Sequence, residues 1–158
     1  MLQNLLLGRH AHTRSRFLEE LLFLPRVARL ESLHREAAEK VIEFLDLQPH
    51  RDSMIVNLPY GVRKVVELGR ALCAEPKLLL LDEPSSGLSV EETEDMAFWI
   101  QDIRSVLGIT VLMVEHDMSL VSAVSERVLA LNYGRPIALG TAREVQDDPD
   151  VIKAYLGA

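Results

Sequence analysis

A single cysteine, Cys73, stands in the 158 residues, so no disulfide can form within the chain. Set among Ala71, Leu72 and Ala74, it reads as a small core side chain. Long apolar runs are also missing. The longest are LLFL (21–24) and LLLL (78–81), far short of a membrane-spanning helix. The opening MLQNLLLGRHAH has only a short leucine run before Arg9, His10 and His12, which is not the pattern of a secretory signal, so the cytoplasm is the expected compartment. There is no basic surplus. A formal net charge of -7 argues against a nucleic-acid partner. Internal repeats and low-complexity linkers are absent too. What remains is ordinary globular composition, 48% hydrophobic and 26% charged, in a chain long enough for one sizeable core.

Composition divides the chain at about residue 75. Residues 1–75 read as helical throughout. In 30–47, Leu30, Leu33, Ala37, Val41, Phe44 and Leu45 recur at helical spacing, with Glu31, Arg35, Glu36, Glu39, Lys40 and Glu43 largely opposite. An earlier helix is expected over 16–23, ending before Pro25. Residues 76–158 alternate between strand and helix. Leu78–Leu81 and Thr110–Val114 are short apolar runs suited to a sheet covered on both faces. A helix over 91–106 lies between them, with Glu91, Glu92 and Glu94 where the helix dipole favours anions. Residues 127–140 read as two strands around a turn containing Asn132 and Gly134, followed by helices at 142–147 and 149–156. The whole predicts an α/β core with a mainly parallel sheet and a helical appendage.

Both apolar strands end in charge. LLLLDEP (78–84) delivers Asp82 and Glu83, and VLMVEHD (111–117) delivers Glu115, His116 and Asp117. Either alone equally suits a buried strand ending in a solvated turn. Together they place Asp82, Glu83 and His116 beyond the carboxyl ends of two strands, where open α/β sheets bind ligands. His10, His12, His34 and His50 lack such company and read as packed or solvated. Upstream, LPYGV (58–62) opens a helix. Pro59 suits its start, Gly61 permits close backbone approach, and the free N–H groups there suit a phosphate.

In this order and spacing the motifs resemble those of the ATP-binding cassette (ABC) ATPases. Leu58, Pro59, Tyr60, Gly61 and Val62 stand where that family has its signature sequence, LLLLDEP where it has the Walker B strand. Ser86, Gly87, Leu88 and Ser89 take the place of the D-loop, and His116 that of the switch histidine. The tail DDPDVIKAYLGA, the tyrosine of LPYG and the opening NLLLGRH are similar to branched-chain amino acid importer ATPases. The resemblance implies that Asp82 holds Mg2+ through water, Glu83 polarises the attacking water and His116 contacts the γ-phosphate of ATP. Tyr60 and Gly61 would face the γ-phosphate of a nucleotide on a second ATP-binding subunit, with Ser86–Ser89 at the interface. It further implies integral membrane permease subunits, contacted by the helical part and served by a substrate-binding protein, and a peripheral place on the inner face of the cell membrane. Domains of 1–75 (helical subdomain with the signature helix) and 76–158 (C-terminal part of the catalytic core) follow from it.

One expected motif is missing. No G-x-x-x-x-G-K-[ST] occurs, and there is no Gly-Lys pair at all. The chain therefore reads as part of a P-loop NTPase core, a fragment without its P-loop, with an unpaired sheet edge and an uncovered apolar face. The alternative is a degenerate, non-catalytic cassette that pairs with a complete ATPase. A DNA-repair or chromosome ABC protein fits less well, given the acidic balance and the AYLG tail. Pro59, Val62 and Ser89 also depart from the family's serine, glutamine and aspartate. Losing a hydrogen bond to a charged group costs about 1.5–3 kcal/mol, so dimer closure here is expected to be weak. Without P-loop amides and lysine a triphosphate has no cradle. These residues alone are expected to release no phosphate from ATP; release that Glu83→Gln abolishes would refute this.

Overall fold

The computed structural model of the chain describes residues 1–12 and 25–156. The helix expected over 16–23 lies outside the described residues. The chain divides into two compact units, Met1–Leu79 with Gly108–Leu112, and Leu80–Leu107 with Met113–Ala158.

The first unit is built on α1 (Leu2–Gly8), α2 (Pro25–Phe44) and α3 (Tyr60–Leu72). Leu5, Ile42, Leu45 and Val66 are its most buried aliphatic side chains. Helix α2 begins earlier than the sequence suggests, because a proline is tolerated in a first turn. It also ends earlier. Asp46 adopts a left-handed backbone (φ 52°), with Asp46 N–H donating to Glu43 O and Leu47 N–H to Ile42 O. That is a Schellman closure, and the buried Leu47 and Ile42 accompany it.

The buried stripe of α2 differs in part from the predicted one. Leu45 is buried as expected, but Ala38 and Ile42 are buried where Ala37 and Val41 are only half-buried, and Leu33 is 60% exposed. The cause lies in adjacent apolar pairs, Ala37–Ala38, Val41–Ile42 and Phe44–Leu45, which give two overlapping stripes. Periodicity cannot choose between them; packing against α1 and α3 does.

Around this core runs a buried guanidinium. Arg9 is only 8% exposed. It donates to the Cys73 carbonyl (2.9 Å), the Glu75 carboxylate (2.6 Å) and His34 Nδ1 (3.3 Å), tying the start of the chain to α2 and to the end of α3. Burial, then the nearby Arg9 and His12 charges, hold the His34 pKa below the ordinary histidine value and favour the neutral ring, whose Nδ1 can then accept from Arg9. Cys73 is buried, and burial pushes its thiol pKa up to about 11, so it stays protonated as a packing group.

Strands β1 (Leu78–Asp82) and β2 (Thr110–Val114) pair. Thr110 N–H donates to Lys77 O at one end and Glu83 N–H to Val114 O at the other, so the strands run parallel. The apolar runs suit a two-sided cover, but one side of each strand is open. Leu78 and Leu80 are 50% and 66% exposed, and Leu112 and Val114 are 60% and 63% exposed.

In the second unit, α4 (Val90–Ser105) starts from a capping box in which Ser89 and Glu92 exchange hydrogen bonds. It buries Met96, Ala97, Ile100 and Ile103. A short helix absent from the sequence reading, α5 (Met118–Val124), starts where the Asp117 carboxylate accepts from Ser119 N–H and Leu120 N–H. The antiparallel hairpin β3 (Val128–Asn132) and β4 (Arg135–Gly140) turns through Tyr133 (φ 46°) and Gly134 (φ 76°), both left-handed as a type I′ turn requires. Helices α6 (Ala142–Gln146) and α7 (Pro149–Leu156) follow, with Tyr155 Oη donating to Leu131 O.

Helix α1 lies hard against the end of α3 at Gly8. A Cβ there would sit 2.1 Å from the Arg70 carbonyl oxygen and 2.9 Å from Cys73 Cβ. Backbone cannot yield as a side-chain tip can. Gly8→Ala is expected to destabilise the chain by about 1–3 kcal/mol, read as a lower denaturant midpoint. An unchanged midpoint would show that the helices separate without cost.

Candidate active site

The candidate site is built at the ends of β1 and β2. Apolar alternation carries β1 to Asp82, whose side chain is exposed. Glu83 then takes a left-handed backbone (φ 45°) while its N–H still bonds Val114 O at 2.9 Å. A non-glycine residue there costs about 1–3 kcal/mol and needs surrounding contacts to hold it. The loop beyond is fixed by Ser86 N–H to Glu83 O (3.1 Å) and Leu88 N–H to Ser85 O (3.0 Å), with Gly87 at φ 78°. Ser89 ends it. Its hydroxyl accepts from Glu92 N–H at 3.2 Å, so this side chain is engaged as a helix cap.

His116 leaves β2 with its Nδ1 3.5 Å from the Glu83 carboxylate and 3.6 Å from Glu115 Oε2. Thus His116 comes beside Glu83, and Asp82, Ser86, Gly87, Leu88 and Ser89 flank Glu83 along the chain in the same unit. A buried carboxylate next to them was not among the sequence candidates. Glu115 has a side chain with 0% exposure. Its carboxylate accepts from Ser85 N–H (2.8 Å) and the Ser85 hydroxyl, and from His116 N–H (2.9 Å) and Asp117 N–H (3.3 Å). Burial by itself raises a carboxyl pKa. Here the bonds from Ser85, His116 and Asp117 together outweigh it and hold Glu115 below the ordinary value. A signal for it existed. Alternation along β2 puts Val111, Met113 and Glu115 on one side, and all three are at least partly buried.

The other expected residues belong to the first unit. Leu58 is buried, and Pro59 is the N-cap of α3, its carbonyl accepting from Arg63 N–H at 3.0 Å. Among the described residues no side chain caps this helix start. Gly61 is buried, Val62 half-buried and Tyr60 45% exposed. The Arg63 guanidinium lies 5.6 Å and Lys64 Nζ 5.9 Å from the Tyr60 ring centre. The first unit also has an open groove of about 600 Å³ lined by Met1, Leu2, Arg35, Arg51, Met54 and Val56, among others. None of the expected site residues lines it.

Among the described residues no group of three or more His, Cys, Asp or Glu side chains is arranged to hold a metal. Asp82 and Glu83 at a strand end suit a different case. Magnesium keeps several waters and is commonly held by one or two carboxylates together with substrate phosphates.

The comparisons with known proteins place the chain in a family. The family model described as ABC transporter matches residues 4–86, more than half of the chain, and the chain belongs to that family. Within it, a second model, branched-chain amino acid ATP-binding cassette transporter, matches residues 135–158. The chain is 39% identical over 155 residues to the high-affinity branched-chain amino acid transport ATP-binding protein BraF of Pseudomonas aeruginosa, covering 98% of this chain and 61% of the relative. It is 36% identical over 157 residues to LivG of Salmonella typhimurium, a protein of the same description, covering 99% and 62%. The chain therefore spans about three-fifths of the length of these relatives. Among solved structures, a nucleotide-free ATP-binding cassette from an ABC transporter superposes with a TM-score of 0.79 at 28% identity, covering 99% of this chain and 63% of that one. An ATP-binding cassette in its ADP conformation gives 0.78 at 27% identity, with the same coverage. The mixed α/β fold and its parallel strand pair are those of an ABC cassette.

A depressed folded-state pKa means that the stabilisation from Glu115 is complete above the ordinary glutamate value of 4.5 and is lost as pH falls through the lower folded value. The protection factors of the Ser85 and Asp117 amides, measured against the intrinsic exchange rate at each pH, are therefore expected to hold down to that value and to fall below it. Loss of protection above it would overturn the assignment of a charged, bonded Glu115.

Proposed function

We propose that this chain supplies the helical subdomain and the C-terminal catalytic part of an ATP-hydrolysing subunit that powers uptake of branched-chain amino acids or related small polar solutes. The observation that carries the reading is the approach of His116 Nδ1 to the Glu83 carboxylate, 3.5 Å apart at the ends of two parallel strands. Phosphoryl transfer asks chiefly for positioning and charge stabilisation, and these residues divide that work. Glu83 orients and polarises the attacking water, and His116 holds the γ-phosphate end of ATP. Asp82 holds the nucleotide's Mg2+ through water, which neutralises phosphate charge there. The start of α3, in the segment Leu58, Pro59, Tyr60, Gly61 and Val62, turns the backbone N–H groups of Gly61 and Val62 to the γ-phosphate of a nucleotide on a second ATP-binding subunit. Ser86–Ser89 lie along that subunit's surface.

Residues 1–75 form the helical subdomain that meets integral membrane permease subunits, and 76–158 the C-terminal part of the catalytic core. Among the described residues no helix is long and apolar enough to cross a membrane; a peripheral place on the cytoplasmic face is part of the same proposal. The solute class rests on the likeness to BraF and LivG and on the match over 135–158. P-loop amides and a lysine must reach the phosphates from residues outside these 158.

Mixing the chain with a separately expressed, P-loop-bearing N-terminal portion of a BraF-type relative tests this. Phosphate release should appear on mixing and disappear with Glu83→Gln. Silence from the wild-type mixture, with both pieces folded, would favour a non-catalytic cassette that only pairs with a complete ATPase.

A further inference from the structure

We propose that Glu115 is a positioning residue that sets Glu83 against His116, a role that rests on the catalytic reading of those two residues. Its carboxylate is the point where the two loops of the site are joined. Ser85, two residues beyond Glu83, gives it two bonds, from its amide and its hydroxyl. The His116 amide gives a third and the Asp117 amide a fourth. Asp117 in turn caps α5, so the same carboxylate fixes where that helix begins.

The economy of a buried charge explains why these four donors act as a unit. A carboxylate with no water access is costly unless its lone pairs are occupied. Ser85, His116 and Asp117 are thereby held within hydrogen-bonding reach of one group. The backbone of Glu83, in its left-handed conformation, has the bond to Val114 on one side and the anchored Ser85 on the other. Glu115 Oε2 also lies 3.6 Å from His116 Nδ1, so the ring stands between two carboxylates. An amide in place of this carboxylate keeps the shape but not the chemistry. Glutamine offers one acceptor oxygen and turns an NH2 donor towards a site that already contains only donors. The loops must then separate or leave N–H groups unpaired.

The test uses the full 158-residue chain in two variants, Glu115→Gln and Ser85→Ala, the latter removing only one hydroxyl. The first readout is the nuclear Overhauser contact between the His116 ring and the Glu83 side chain, together with the amide shifts of Ser85, His116 and Asp117. In Glu115→Gln the contact should vanish and the three amides should move upfield, while the amides of hairpin 128–140 keep their shifts. General loosening of the fold would move the hairpin as well. If Glu115→Gln does not fold, Ser85→Ala decides, with a weakened contact expected. Retention of the contact and of the three shifts would overturn the proposal.

The second readout is phosphate release in the two-piece mixture, normalised to folded protein. Displacing catalytic groups that an outer residue holds typically costs about 10–100-fold in activity, expected here in kcat with KM for ATP unchanged. Unchanged kcat in Glu115→Gln refutes positioning. If the wild-type mixture is silent, the catalytic reading fails, and the spectroscopic contact still decides whether Glu115 sets the geometry.

Discussion

A carboxylate sealed from water and surrounded only by donors constrains the candidate site more than any exposed residue in it. The hydrogen-bonded partners of Glu115 are three backbone amides and a hydroxyl, with His116 Nδ1 3.6 Å from its Oε2. Its charge is met chiefly by the geometry of those donors. The loop after β1 and the loop after β2 must therefore keep a fixed separation, and Glu83 and His116 inherit it. Both catalytic candidates are themselves largely exposed, with side chains 53% and 71% accessible. Exposed ion pairs contribute little to stability. The order of this edge thus comes from beneath, and the reactive groups stay accessible to water and substrate.

The first unit applies the same logic with the opposite charge. Arg9 is buried, and its Nε and Nη1 donate to an imidazole nitrogen, a carbonyl and a carboxylate from two stretches of chain. This arrangement works only if His34 is neutral on the side facing Arg9, and burial and the neighbouring charges favour that form. Gly8 beside Arg70 and Gly69 beside Leu5 and Leu45 allow helix backbones close enough for these bonds to reach. Small residues and one buried cation together set the packing of α1, α2 and α3.

What could be read from sequence followed how local the cause was. Asp82, Glu83 and His116 stood out because apolar strand runs end in charge, and the hairpin because Asn132-Tyr133-Gly134 interrupts two such runs. Helix α4 was legible from its acidic first turn, although Ser89 and Glu92 prove to be its capping box. Other features depend on what comes from elsewhere in the chain. The buried face of α2 was ambiguous between two neighbouring stripes until α1 and α3 chose one. Helix α5 is short, and Asp117 looked like strand-end charge rather than a cap. Glu115 looked like one more acid beside a histidine. Its burial depends on Ser85, thirty residues earlier in the chain, which no local pattern reveals.

The balance of charge at the edge bears on what these residues can contribute to a reaction. Asp82 and Glu83 present carboxylates to solvent, in a chain whose formal net charge is -7. A phosphate oxygen about 4 Å from a carboxylate is repelled by about 4 kcal/mol at an effective dielectric near 20. A triphosphate is therefore not drawn to this edge by charge. Water and a hydrated divalent cation are. In the reading proposed for this chain, that division is useful: these carboxylates deal with the nucleophile and the metal, and cationic and N–H donors placed elsewhere hold the phosphates. The open sides of β1 and β2, with Leu78, Leu80, Leu112 and Val114 exposed, set the same requirement in apolar terms. Surface of this kind is stable in water only at a cost of about 25 cal/mol for each Å² left uncovered. Both demands, apolar cover for the strands and positive charge for the phosphates, would be met by one neighbour that packs on the strands and carries a phosphate cradle at their carboxyl ends.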